Sequence, residues 1–209
     1  DSAVISQPAK LTISHVQRNV NCYGENNGSI NITVNGGTTP YNYKWTGGQI
    51  TQNINNLIAG GYGVIVTDSH GCEIKDTAVI NQPTKLTISH SLIHVKCNGE
   101  NNGSIDITVS GGTKLYNYNW TSGQTTDDIN NLIAGGYGIT VTDSHGCVIM
   151  DSVVISQPAI LSISHKLTNV SCFQGSNGSI NLTINGGTSP YKYNWTSGQT
   201  TEDIINLVS

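Results

Sequence analysis

Five cysteines offer the first chemistry. Cys22, Cys97 and Cys172 are spaced 75 residues apart, as are Cys72 and Cys147. Two sets of bonds compete. Bonds within a repeat, Cys22–Cys72 and Cys97–Cys147, leave Cys172 unpaired; bonds across repeat boundaries, Cys72–Cys97 and Cys147–Cys172, leave Cys22 unpaired. The first set is the expected one, because it staples each small unit to itself. Closing such a 50-residue loop stabilises by about 4 kcal/mol in the chain-entropy account. Free buried thiols are the remaining alternative. His15, His90 and His165 recur, as do His70 and His145, but none has zinc-ligand spacing to a second histidine or a cysteine pair. They read as solvated or hydrogen-bonded histidines. Glu25-Asn26-Asn27 and Asp68 carry oxygens that suit calcium, yet Gly175 replaces the glutamate in the third copy and no EF-hand-like loop occurs. There is no nucleophile elbow, phosphate loop or His-Glu-x-x-His, and an active site is rarely needed every 75 residues. The expectation is therefore no enzyme, no cofactor and no metal ligand.

The elements that position these groups come from one unit, repeated. AKLTISH at 9–15 returns as TKLTISH at 84–90 and AILSISH at 159–165, and 9–83 matches 84–158 at 52 of 75 positions without a gap. The expected divisions are 1–8, the closing strand of a preceding repeat; 9–83 and 84–158, two full repeats; and 159–209, a truncated repeat. The sequence thus reads as a piece of a longer chain. Within a unit, Ile30, Ile32 and Val34 alternate with polar residues, and so do Tyr41, Tyr43 and Trp45. For 62–67 the core face is Tyr62, Val64 and Val66, since Thr140 replaces Ile65 in the second copy. Leu11 and Ile13 open the unit; Ala78 and Ile80 close it. Gly36-Gly37, Gly47-Gly48 and Gly60-Gly61 mark tight reversals. The stretch 50–60 reads as either a short strand or an irregular crossing. Six or seven short strands predict an all-β, immunoglobulin-like sandwich of 75 residues. Pro8, Pro83 and Pro158 stand three residues before the next opening strand, which predicts a stiff, elongated rod of repeats. The aromatic triad reads as core, with a carbohydrate platform as the alternative.

Charged residues make up only 11% of the chain and the net charge is −4, so no basic stripe is available for nucleic acid. No apolar run is long enough to insert in a membrane.

An ordered set of residues carries a family resemblance: Cys22; Gly28-Ser29-Ile30; Gly36-Gly37; Pro40-Tyr41-Asn42-Tyr43-Lys44-Trp45; Asn56-Leu57; Gly61-Tyr62; Val66-Thr67-Asp68; and Gly71-Cys72. The chain resembles the SprB-type repeat of giant surface adhesins in gliding Bacteroidota. Leu115 stands in place of the proline in the second unit, and Phe173-Gln174-Gly175 replaces Tyr23-Gly24-Glu25 in the third. The resemblance implies type IX secretion, an extracellular place at the cell surface, and a part in adhesion or gliding as a stalk. Its partners would be neighbouring repeats, with surface polysaccharide or other surface proteins beyond them. The alternatives are a carbohydrate-binding module and a spacer of a secreted hydrolase. Asp1-Ser2-Ala3, Asp76-Thr77-Ala78 and Asp151-Ser152-Val153 resemble the Asp-Ser/Thr-apolar signal for O-glycosylation in that group. Ser2, Thr77 and Ser152 are then candidate modification sites, each expected to face solvent.

Overall fold

A computed structural model describes residues 5–208. Among the described residues every regular element is a strand. The first repeat contains β1 (Thr12–Arg18), β2 (Gly28–Asn35), β3 (Asn42–Trp45), β4 (Ile54–Leu57), β5 (Gly60–Thr67) and β6 (Glu73–Ile80). They form two antiparallel sheets with strand orders β1-β2-β4 and β3-β5-β6. This is the strand division of a constant-type immunoglobulin sandwich without its fourth strand. Alternation sends Ile30, Ile32, Val64, Val66, Ala78 and Ile80 inward from the two sheets, where Trp45, Ile54 and Leu57 join them. Ile30 and Val66 are fully buried. Burying a side chain of this kind contributes roughly 1.5–3 kcal/mol.

The irregular stretch at 50–60 resolves into β4 with a bulge. Ile54 pairs with Ile30 and Leu57 with Gly28, and the register shifts between them. Asn56 takes up the extra residue at φ 57°, so two buried residues lie three apart instead of two. Asparagine tolerates this left-handed conformation better than other residues with side chains. Gly28 opposite must be glycine, because a Cβ there would lie 2.8 Å from the Leu57 carbonyl and 2.9 Å from the Ile80 side chain.

The second repeat contains β7 (Thr87–Ile93), β8 (Gly103–Ser110), β9 (Asn117–Trp120), β10 (Ile129–Leu132), β11 (Gly135–Thr142) and β12 (Val148–Ile155), in the same two orders. The third contains β13 (Ser162–Thr168), β14 (Gly178–Asn185) and β15 (Ile204–Leu207), which form the first sheet only. Leu161 is 61% exposed where its counterpart Leu11 is 9% exposed. Leu161, Ile163, Leu182, Ile184, Tyr193 and Trp195 line an open cavity of about 600 Å³. Of the expected closing strand at 1–8, residues 5–8 form no strand, and residues 1–4 lie outside the described residues.

The chain divides into two compact units. One takes the residues up to Ile88 with Val109–Tyr118 and Thr140–Met150; the other takes Ser89–Thr108, Asn119–Ile139 and the residues from Asp151 on. The first unit therefore holds the first repeat whole, together with one end of the second.

Candidate functional site

Strand direction gives the first repeat two unlike ends. At the trailing end, Gly60 pairs with Ile80, and the Val20 N–H donates to the Asn81 carbonyl at 3.0 Å. The loop from 19 to 27 lies here and carries Cys22. The Glu25 N–H donates to the Cys22 carbonyl at 3.2 Å, Asn27 Nδ2 to Glu25 Oε2 at 2.7 Å, and the Gly24 N–H to Gln82 Oε1 at 2.8 Å. Glu25 and Asn27 thus brace the cysteine loop.

At the leading end, β5 and β6 meet in a hairpin where Thr67 pairs with Glu73. Asp68 organises it. Its Oδ1 accepts the N–H groups of His70 (2.9 Å) and Cys72 (2.8 Å), and its Oδ2 accepts the Thr38 N–H (3.0 Å). The side chain is buried. The hydrogen bond from Cys72 is the largest influence on it, opposed by the loss of water and helped by Thr38 and His70; together they hold the carboxyl below its ordinary range. Asp143 repeats the arrangement with Thr113 (2.8 Å), His145 (2.9 Å) and Cys147 (2.9 Å). For Asp143 the loss of water is the largest influence and pushes upward. The three N–H donors outweigh it, and the carboxyl again sits low. Both oxygens are committed to backbone donors, so these aspartates shape the hairpin.

The two ends meet in a disulfide. Cys22 is bonded to Cys147, with Cα atoms 5.6 Å apart and a sequence separation of 125. Cys147 is buried at 9% exposure, and its sulfur lies 3.4 Å from the Asn21 carbonyl oxygen. Tyr23, Glu25, Lys85, Leu86, Val148 and Ile149 line a cleft beside the bond. Cys72, Cys97 and Cys172 carry free, exposed thiols. This corrects the expected pairing: Cys22–Cys72 and Cys97–Cys147 are not formed, nor are the rival bonds Cys72–Cys97 and Cys147–Cys172. The reason is the direction of the strands. Cys22 and Cys72 lie at opposite ends of one sandwich, separated by the eight-residue β5 and β6, roughly 26 Å. Bonded cysteines need Cα atoms within about 7 Å.

The other candidates fall as follows. Trp45 is buried and its Nε1 donates to the Thr51 carbonyl at 2.9 Å; Tyr41 and Tyr43 pack against the same core, and Tyr41 Oη donates to the Gly36 carbonyl at 2.6 Å. The triad therefore faces inward. His15 Nδ1 lies 2.6 Å from Asp76 Oδ2, and His90 Nδ1 lies 3.3 Å from Asp151 Oδ2. Among the described residues no group of three or more His, Cys, Asp or Glu is placed to hold a metal ion. Thr77 and Ser152 are exposed and sit just before the buried Ala78 and Val153; Ser2 lies outside the described residues. The sequence reasoning missed the hairpin role of Asp68 and Asp143. The available signal was an aspartate directly after a strand and ahead of Ser-His-Gly, a setting for side-chain capture of following N–H groups.

Comparison with solved structures finds immunoglobulin domains 1–5 of Sidekick-1 (12% identity, 87% of this chain and 46% of that one, TM-score 0.39). It also finds the N-terminal eight Ig domains of Down Syndrome Cell Adhesion Molecule (10%, 86% and 35%, TM-score 0.40) and domains 4–9 of the surface layer protein SbsC (14%, 96% and 38%, TM-score 0.30). The chain spans less than half the length of each of these. No curated protein sequence matches it. The SprB repeat profile matches residues 14–50, 94–125 and 165–200, half of the chain with one segment in each copy. The chain belongs to the SprB repeat family.

Proposed function

We propose that this chain is a length of structural and adhesive stalk in a large cell-surface protein, a gliding or attachment adhesin exported by type IX secretion. The observation that supports the reading best is the Cys22–Cys147 bond, which joins successive repeats. Such a bond forms and persists in an oxidising compartment outside the cytosol. It suits a chain that must carry tension between the cell and whatever it holds. The role is mechanical and non-catalytic, and the partners are neighbouring repeats of the same chain, with surface polysaccharide or surface proteins at the adhesive end.

Antibody labelling and protease shaving of intact source cells test the location, and in-frame deletion of repeats tests the role. Surface labelling, with attachment or gliding lost on deletion, is the expected result. Repeats that stay shielded from both antibody and protease on intact cells would overturn the surface reading. Unchanged attachment and gliding after deletion would overturn the adhesive one.

A further inference from the structure

The 75-residue period makes Cys97 and Cys172 counterparts of Cys22, and Cys72 the counterpart of Cys147. The observed bond obeys a rule: the trailing-end cysteine of one repeat takes the hairpin cysteine of the next, 125 residues on. The free halves hold the same conformation as the bonded ones. Around Cys97, the Glu100 N–H donates to the Cys97 carbonyl at 3.2 Å, Asn102 Nδ2 to Glu100 Oε2 at 2.6 Å, and the Gly99 N–H to Gln157 Oε1 at 2.9 Å. These match the contacts around Cys22 one for one. Around Cys72, the Asp68 N–H donates to the Cys72 carbonyl at 3.0 Å, as the Asp143 N–H does to Cys147 at 2.9 Å. The loop and the hairpin are therefore set before any bond is made, and the two free types are complementary.

The geometry points to a repeating interlock. Cys97 is a docking half that accepts the hairpin cysteine of a following repeat, and Cys72 accepts the trailing-end cysteine of a preceding one. The partner is another copy of this same unit. Each bond forms by exchange with a small-molecule disulfide: the two cysteine thiols join, the reagent's sulfur–sulfur bond breaks, and it leaves as two thiols carrying the two protons and two electrons. Successive closed loops, 22–147 and the one opening at Cys97, then overlap across 97–147. Every repeat is bonded to both neighbours.

The test is the full chain lengthened after Ser209 by a copy of residues 135–158, which completes the third repeat and adds its hairpin cysteine. It is refolded with oxidised and reduced glutathione, digested without reduction, and its linked peptides are identified by mass spectrometry. The expected links are Cys22 to Cys147 and Cys97 to the added cysteine, with Cys72 and Cys172 open to alkylation. In the same chain Cys97→Ser should leave the added cysteine open to alkylation while Cys22–Cys147 persists. A link from the added cysteine to Cys172, or a free Cys97 beside a free added cysteine, overturns the interlock. The outcome is independent of the cell-surface reading, because it is read on purified protein.

Discussion

Asp68 Oδ1 accepts the Cys72 N–H at 2.8 Å, so one carboxylate fixes the backbone of the hairpin that carries a cysteine. Asp143 does the same for Cys147, which is bonded. Replacing Asp143 by alanine leaves three N–H donors at a buried site without their acceptor. We expect Asp143→Ala to lower the melting temperature by several degrees and to speed reduction of Cys22–Cys147 by dithiothreitol. A reduction rate equal to that of the parent would show that the hairpin holds its shape without the carboxylate.

The same two groups set an acid limit. Both carboxyls are held below their ordinary value of 3.8 in the folded protein. Their contribution to stability is therefore complete above that value and is lost as pH falls through the lowered folded values. Thermal melts should change little on account of these groups between neutral pH and about 4, then drop. The double variant Asp68→Asn, Asp143→Asn should be less stable at neutral pH and show a shallower acid drop. An unchanged acid slope in the variant would place the acid sensitivity elsewhere.

The bulge at Asn56 gives a local test of backbone strain. Asn56 and its counterparts Asn131 and Asn206 all adopt φ between 57° and 59°. A β-branched residue meets its own carbonyl there, at a cost of roughly 1–2 kcal/mol. Asn56→Val should destabilise by about that amount, whereas Asn56→Gly should change stability by less than about 1 kcal/mol. Equal losses for the two in urea titrations would mean that the Asn56 side chain, and not its backbone, matters.

How far the sequence spoke depended on period and partner. Alternation placed Ile30, Ile32, Tyr43, Trp45, Val64 and Val66 correctly, because period 2 is a direct mark of a half-buried strand. It left 50–60 open between a short strand and an irregular crossing, because Asn56 inserts one residue and breaks the period between Ile54 and Leu57 in what is a short, bulged strand. It also says nothing about which end of a sandwich a residue occupies, and the cysteine pairing depended on that. In the third copy, residues 191–195 keep the alternation of β3 and form no strand, so period alone does not make a strand.

Thr77 and Ser152 each follow an aspartate on a closing strand, with side chains exposed and their next neighbours buried. A glycan there meets no steric bar from the repeat that carries it. Peptides from native material covering both residues should carry added hexose-type mass, and Thr77→Ala with Ser152→Ala should remove it without lowering the melting temperature of unglycosylated recombinant protein. Unmodified peptides at both positions would reject the modification.

The bond between Cys22 and Cys147 gives a mechanical prediction. It closes a loop over a sequence separation of 125, and in the chain-entropy account closing such a loop stabilises the fold by about 5 kcal/mol. Under tension applied at the two termini, the force passes through the two sulfurs and bypasses everything between them. Unfolding the first repeat's strands then releases no length from that loop. Single-molecule stretching in the absence of reductant should show only the short extensions of the flanking residues. Adding a reductant should release a further extension of about 400–450 Å, the extended length of the enclosed chain. Cys22→Ser should show that longer extension from the start. If the oxidised parent already gives the full extension, the loop is not closed in solution, and the cysteines cannot be what lets the repeats carry load.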